Sequence, residues 1–151
     1  MKLTTKGRYG VRAMANLAAH SSSRPLSIAQ IAREEDLSPE FLEQIFFRLR
    51  KAGLIKSTRG PKGGFVLSKD PGEVSIKAIL DAVGEPLNPT PCTEHGVKGC
   101  ERQTYCVMSP IWHEFYDKIR THLEGVSLAD ILERKSSSGS VGSAALRTLA
   151  N

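Results

Sequence analysis

The chain has few cysteines and no long apolar run, and each shortage excludes a class of protein. No stretch of its 151 residues approaches the roughly 20 apolar residues that span a bilayer. Its first ten residues, MKLTTKGRYG, lack the apolar core of a secretory signal. Its three cysteines are an odd number, which disfavours a disulfide-stabilised secreted domain. We therefore expect a cytoplasmic protein that does not engage membranes.

Positive charge is concentrated in the first half of the chain. Residues 1–70 carry 13 Lys and Arg against 6 Asp and Glu, a net charge of +7. Residues 71–151 carry 8 against 10, a net charge of −2. A basic half of this kind favours a polyanionic partner such as DNA.

The order of local signals in the first half is typical of a helix-turn-helix. Apolar residues at helical spacing predict a first helix over residues 5–20. Ser27 is placed to cap a second helix. Ser38 and Pro39 start a third, which Gly53 ends. Two short helices joined by a tight turn are what this motif requires.

A hairpin is predicted directly after these helices. In LIKSTRGPKGGFVLSKD, residues 54–70, apolar positions flank RGPKGG, whose glycines and proline cannot continue a helix. A basic-tipped hairpin in this place is a wing. The predicted fold class is therefore mainly α with a small β-wing, a winged helix-turn-helix.

The second half predicts three further helices. One runs from Ser75 to near Gly84, a long one starts at Pro110, and a short one is capped by Ser127. We expect the long helix to form a two-fold dimer seam with the first helix, although it could instead close its own core. Its apolar side holds Ile111, Trp112, Phe115, Ile119 and Leu123.

Polar residues near the start of the third helix are candidates to read DNA in the major groove. Ser38, Glu40, Glu43 and Gln44 lie at that end. Gln44 suits adenine, and Glu43 suits cytosine N4. A carboxylate near phosphates costs affinity, so Glu43 would act by rejecting wrong sequences, unless it is an ordinary solvated glutamate.

Basic residues supply the remaining DNA candidates. Arg59 at the wing tip, flanked by small residues, suits a narrow minor groove with its deep negative potential. Arg48 and Arg50 could equally be solvated charges. Phosphate contacts, which position a protein without reading sequence, are predicted for Lys62, Lys6, Arg8, Arg48, Arg50 and Lys51.

All three cysteines lie within 15 positions. Cys92, Cys100 and Cys106 are separated by seven and five residues, without the paired spacing of a structural zinc site. Three thiolates on a flexible loop suit an iron–sulfur cluster. Plain buried cysteines, a redox switch and zinc remain alternatives. We do not expect an enzyme, because no base and orienting group accompany a cysteine nucleophile at recognisable positions.

Several separate motifs resemble one known family. MKLTTKGRYGVRAM, LEQIFFRLRKAGLI, RGPKGGFVLSKD and the three-cysteine segment are together similar to the IscR-type iron–sulfur repressors, over about residues 1–134. The resemblance implies a dimeric winged-helix transcription regulator that binds a pseudo-palindromic operator in double-stranded DNA. It also implies a 2Fe–2S cluster, with 4Fe–4S as the alternative.

The resemblance assigns roles to six residues and leaves the fourth cluster ligand open. It implies that Cys92, Cys100 and Cys106 are cluster ligands, that Glu43 and Gln44 discriminate sequence, and that Arg59 enters the minor groove. In some relatives a histidine three residues after the last cysteine is the fourth ligand.

This chain has Ser109 there, whose hydroxyl we expect to cap the helix starting at Pro110. Other relatives use a carboxylate near the N-terminus of the partner subunit, at a position where this chain has Arg8, which is not a ligand. The remaining donors are His95, Glu94, Glu101, His113 or a small molecule. An exchangeable fourth ligand would suit a sensor.

The expected function is repression controlled by iron–sulfur cluster status, with cluster biogenesis genes as targets. Iron-limitation or nitric-oxide sensing, and a cluster-free regulator controlled by a protein partner, are the alternatives. We expect DNA binding in residues 1–70, dimerisation and cluster binding in residues 71–135, and a flexible tail over residues 136–151.

Overall fold

The computed structural model describes residues 3–20, 24–93, 101–102, 105–134 and 136. Among them no helix combines the length and apolarity that crossing a bilayer requires. Nearly all of the predicted tail lies outside these residues. The α-helices are α1 (Thr5–Ala19), α2 (Ile28–Glu35), α3 (Pro39–Lys51), α4 (Ile76–Val83) and α5 (Ser109–Glu124), and residues 128–134 are also helical. The strands are β1 (Ile55–Thr58) and β2 (Gly64–Leu67).

The helix-turn-helix consists of α2 and α3, and a serine side chain caps the N-terminus of each. The Ser27 hydroxyl accepts from the Gln30 backbone N–H at 3.2 Å, and the Gln30 side chain accepts from the Ser27 N–H at 3.4 Å. Asp36 turns the chain with a φ of 52°. Ser38 then caps α3, with Pro39 in its first turn. These predicted caps are confirmed.

Gly53 ends α3 as predicted. It has a φ of 73°, which favours glycine. Its N–H donates to the Arg50 carbonyl at 3.0 Å, and the Leu54 N–H donates to the Leu49 carbonyl at 3.0 Å. This pair of bonds is a Schellman motif, which satisfies carbonyls at the helix end and turns the chain towards β1.

The predicted wing is confirmed as an antiparallel hairpin. Ile55 pairs with Leu67 at its base and Thr58 with Gly64 near its tip. The segment before α2 is tied to it: the Leu26 N–H donates to the Phe65 carbonyl at 3.1 Å, and the Phe65 N–H donates back at 2.8 Å.

Helix α3 and the wing also touch directly. Phe46 of α3 and Phe65 of β2 pack edge to face, with 4.9 Å between their ring centroids. The orientation of α3 relative to the hairpin is therefore held by packed aromatic rings.

One hydrophobic core runs through α1, α3 and α4 and includes Leu128. Met14, Ile45 and Ile79 are fully buried in it. Close packing needs a small residue at Gly10, where an added Cβ would lie 3.0 Å from Val83. The fold class is confirmed as mainly α with a β-wing. The division at residue 70 stays a prediction about roles, since this core is continuous across it.

The start of α5 corrects one expectation. The helix begins at Ser109, the N-cap position belongs to Met108, and no side chain makes a cap hydrogen bond there. Ser109 is buried, and it is its backbone carbonyl that makes a hydrogen bond, accepting from His113 Nδ1 at 2.8 Å. The predicted capping role of the Ser109 hydroxyl is therefore wrong, because the helix starts one residue before Pro110.

Candidate nucleic-acid interface and metal centre

The third helix presents a mixed surface of charge and one aromatic ring. Glu40, Glu43 and Gln44 are exposed, as predicted. Phe41 is partly buried and packs edge-on against Tyr9, with 5.8 Å between centroids. The opposite face buries Leu42, Ile45, Phe46 and Leu49. Burial of that face explains why the polar side chains near the N-terminus of α3 point outward.

Phe47 was not singled out by the sequence pattern. It follows Phe46 directly, yet it is 61% exposed whereas Phe46 is 1% exposed. The signal that could have found it is helical spacing, because a residue next to a buried one lies about 100° around the helix.

Ser38 and Glu40 form a linked pair at the start of α3. The Ser38 hydroxyl accepts from the Phe41 N–H at 3.3 Å and donates to Glu40 Oε2 at 2.5 Å. This hydrogen bond lowers the pKa of the Glu40 carboxyl. The Ser38 hydroxyl is thus engaged within the protein and shapes the helix end that carries Glu43 and Gln44.

Two basic residues meet at the end of α4. Lys6 Nζ donates to the Gly84 carbonyl at 3.1 Å. A Cβ added at Gly84 would lie 3.4 Å from Arg48 Nη1 and 3.8 Å from Lys6 Nζ. Positive charge at a helix C-terminus is favourable because the unpaired carbonyls there are partly negative. Lys6 therefore has a structural task besides any contact with phosphate, and the Arg48 guanidinium lies near the same helix end.

The remaining basic candidates stay accessible. Arg8 is exposed, and its Nη2 donates to the Thr5 hydroxyl at 3.4 Å. Arg59 and Lys62 are exposed in the turn between β1 and β2. Gly60 in that turn has a φ of 111°. The turn thus carries two cations beyond the last paired residues of the hairpin, where they can reach a duplex.

A cleft of about 1000 Å³ runs beside the exposed face of α3. Its far wall is Asp81 and Ala82 of α4. On the α3 side it is lined by Glu40, Glu43, Gln44, Phe47, Arg48, Lys51 and Ala52.

Two of the three cysteines lie within the described residues. Cys92 is half-buried in the short 3₁₀ turn Pro91–Thr93, with its Sγ 3.0 Å from the Thr90 hydroxyl. Cys106 is half-buried just before α5, and its carbonyl accepts from the Ser109 N–H at 3.1 Å. The turn Pro91–Thr93 packs against α5, the helix that Cys106 precedes.

The third cysteine and two donors cannot be placed. Cys100, Glu94 and His95 lie outside the described residues. Within the described part of the chain no three His, Cys, Asp or Glu side chains are grouped closely enough for a metal ion. Of the other proposed donors, Glu101 is exposed and His113 is partly buried.

The two described cysteines are chemically suited to bind iron, because each can supply a thiolate sulfur. Cys92 and Cys106 are partly accessible, and each is free of a disulfide. The turn that holds Cys92 packs against α5, and α5 begins three residues after Cys106. Thiolate sulfur is the ligand type that iron–sulfur clusters use. With Nδ1 of His113 facing the Ser109 carbonyl, its Nε2 is the ring nitrogen left to accept.

Comparison with known proteins decides the family. Residues 3–134 match the sequence profile of Rrf2, described as "Iron-dependent Transcriptional regulator". The chain belongs to the Rrf2 family. It is therefore a DNA-binding transcriptional regulator, as predicted, in a family of regulators and not of enzymes.

Similar Rrf2-family chains carry one recurrent name. The chain is 40% identical over 132 residues to the HTH-type transcriptional regulator IscR of Aliivibrio salmonicida, covering 87% of this chain and 77% of that one. It is 38% identical over 135 residues to IscR of Serratia proteamaculans, covering 89% and 81%. The predicted resemblance to IscR-type regulators is confirmed.

Solved structures agree on the fold. IscR of T. potens superposes with a TM-score of 0.74 at 33% identity, covering 91% of this chain and 90% of that one. CymR (YrzC), the global cysteine regulator of B. subtilis, gives a TM-score of 0.73 at 31% identity, covering 89% and 98%. These likenesses confirm the winged-helix fold.

Proposed function

We propose that this Rrf2-family regulator is a homodimeric repressor whose DNA binding depends on an iron–sulfur cluster held by Cys92, Cys100 and Cys106. The observation that carries the proposal is that two partly accessible thiols adjoin the same helix: Cys92 lies in the turn Pro91–Thr93, which packs against α5, and Cys106 lies three residues before α5 begins. We propose a 2Fe–2S cluster, with 4Fe–4S as the alternative, in a cytoplasmic protein.

The proposed DNA contacts fall into two groups: side chains that read the bases and side chains that hold the phosphates. Glu43 and Gln44 face outward from α3 and offer an acceptor and an amide for base edges. Arg59 at the wing tip enters the minor groove. Ser38 positions the N-terminus of α3 through its cap. Phosphates are held by Lys62, Lys6, Arg8, Arg48, Arg50 and Lys51, of which Lys6 also bonds the Gly84 carbonyl.

A dimer gives these contacts their spacing. Two copies joined along α5 and α1 would present two recognition helices about 34–36 Å apart, one turn of DNA, which suits a pseudo-palindromic operator. In support, Ile111 and Phe115 on α5 are 51% and 44% exposed in the single chain. Burial against a second copy would remove that apolar surface from water.

Residues 92–106 are the proposed link between iron status and DNA. They connect the chain after α4 to the start of α5, so their conformation bears on how α5 is held. When bound, the cluster supplies an inorganic core that reacts with oxidants and is lost when iron is scarce. Control of DNA binding then requires that ligation favour one arrangement of the two α3 helices over another.

We propose that the controlled genes are those for iron–sulfur cluster biogenesis. The support is that relatives at 38–40% identity bear the name IscR and that the family description is iron-dependent. A response to iron limitation or to nitric oxide is the rival signal within the same mechanism.

The test of the metal centre is purification without oxygen. We expect iron, acid-labile sulfide and visible absorption in the unchanged chain, and loss of all three in Cys92→Ala, Cys100→Ala and Cys106→Ala. Thr121→Ala, an exposed change on α5, is the control and should retain them. An unchanged chain without iron or sulfide would refute the proposed cluster.

A second candidate is a cluster-free regulator controlled by a protein partner. Its support is that the fold is equally like that of a regulator named for cysteine and not for iron: CymR, the global cysteine regulator of B. subtilis, has a TM-score of 0.73 against 0.74 for IscR of T. potens. Recovery of a metabolic enzyme with the tagged chain, together with absence of iron, would support it. Three cysteines within 15 positions favour the cluster.

A further inference from the structure

Phe47 is a large apolar side chain in a cleft whose other lining residues are charged, polar or alanine. Its 61% exposure contrasts with full burial of Leu42, Ile45 and Phe46 on the same helix. Phe47 therefore adds little to the hydrophobic core of the described residues. Its place on α3 makes it available to whatever that helix meets.

The neighbours of Phe47 indicate the chemistry of its partner. Glu43 and Gln44 precede it by four and three residues, so they lie on the same side of the helix. Arg48 and Lys51 line the same cleft towards the C-terminal end of α3. Phe47 thus sits between side chains that suit base edges and cations that suit phosphates.

We propose that Phe47 contacts the 5-methyl group of a thymine in the major groove and is a further specificity-determining residue. Among the four bases only thymine presents a methyl group in that groove, and a phenyl ring is one of the side chains that contact it. The ring has no hydrogen-bonding group, so it selects a methyl group and not a polar base edge.

This inference rests on the proposed orientation of α3 on DNA and adds a base preference to it. Because Gln44 suits adenine and Phe47 lies one turn further along, we expect an A·T-rich step under this part of the helix. The other possible occupant is an apolar side chain of a protein. The carboxylates of Glu40, Glu43 and Asp81 line the cleft together with Arg48 and Lys51, so the charge of the cleft does not select DNA. The choice of DNA rests on the place of α3 as the second helix of a helix-turn-helix followed by a wing.

The test replaces thymines of the operator by deoxyuridine, one position at a time, after selecting the operator from random duplexes with the full chain purified without oxygen. Deoxyuridine lacks only the methyl group. We expect one position in each half-site where its loss weakens binding about fourfold, ~0.8 kcal/mol for one methyl-sized group.

The variants assign the effect to Phe47. In Phe47→Ser the methyl group should no longer matter, and in Phe47→Leu part of the effect should return. Arg50→Ala, an exposed phosphate candidate on the same helix, should weaken binding to all duplexes alike and keep the methyl effect. Far-ultraviolet circular dichroism checks that each variant is folded.

The outcomes separate this inference from the function on which it rests. Sequence-selective binding with no sensitive thymine, or with sensitivity that survives in Phe47→Ser, would overturn the role of Phe47 alone. Capture of a protein through Phe47 without any methyl effect would overturn it too. Absence of sequence-selective binding by the unchanged chain would overturn both.

Discussion

Glu85 accepts hydrogen bonds from both the backbone N–H and the hydroxyl of Thr4, the former at 2.7 Å, across 81 positions of sequence. Glu85 is only 4% exposed. Thr4 caps α1 by accepting from the Gly7 N–H at 3.4 Å. A Cβ at Gly7 would lie 2.7 Å from Glu85 Oε2. The start of α1 is therefore bound to the segment that follows α4, and the buried carboxylate lies at a helix N-terminus, where negative charge is favourable.

Glu85→Ala should destabilise the fold. The change leaves the Thr4 donors without their buried acceptor, which costs about 1–3 kcal/mol. Thermal unfolding followed by circular dichroism should show a lower midpoint. Glu124→Ala is the matched control, because Glu124 is exposed and its ion pair with Arg120, at 4.0 Å, contributes little in water. Equal midpoints for the two variants would contradict the role of Glu85.

Gly64→Ala should loosen the wing. A Cβ at this position would lie 2.4 Å from the Leu26 carbonyl oxygen, a backbone atom that cannot move without breaking the Leu26–Phe65 pairing. We expect the strain to lower the free energy of unfolding by about 1–3 kcal/mol, which lowers the thermal midpoint, and to weaken DNA binding. Gly125→Ala is the control: its φ of −82° suits alanine, and its nearest contact would be an ordinary 3.5 Å. Similar midpoints for the two variants would disprove the steric argument.

Glu43→Ala should broaden the accepted sequences while keeping or raising affinity. Removal of a carboxylate near phosphates relieves repulsion, and the loss of its base contact removes discrimination. Selection from random duplexes, compared with the unchanged chain, measures this. Glu34→Ala, an exposed carboxylate on α2, is the control and should leave the selected sequences as they were. An unchanged base preference for Glu43→Ala would refute its discriminating role.

Arg59→Ala should weaken binding, most strongly for operators with A·T-rich flanks, because a narrow minor groove attracts a cation most. Lys62→Ala provides the comparison, since loss of a phosphate contact weakens all duplexes alike and lowers the salt slope by about 1. Titrations at several salt concentrations separate the two. A uniform loss for Arg59→Ala would make it a phosphate contact instead.

Ile111→Asp should shift the chain towards monomer. Ile111 is 51% exposed on α5, where a charge placed in an apolar seam would lack a partner. Sedimentation measures the oligomeric state, and Thr121→Asp, a charge added at an exposed position of α5, should leave it unchanged. A dimer of equal strength in both variants would place the seam elsewhere.

Caps and turns were predictable from the sequence because each depends on a few adjacent residues. Ser27 and Ser38 satisfy N–H groups within three positions, and Gly53 takes a backbone conformation that other residues resist. The start of α5 was misjudged at Ser109, since Pro110 tolerates several places in the first helical turn.

Residue types and their spacing were enough to establish the order of helices, the wing between α3 and α4, and the basic character of residues 1–70. Only the folded chain decided that Lys6 bonds the end of α4 and that the buried Glu85 accepts hydrogen bonds from Thr4, the cap of α1. The physical reason is range: local hydrogen bonds follow from neighbouring residues, whereas burial and long-range pairing depend on how distant segments pack.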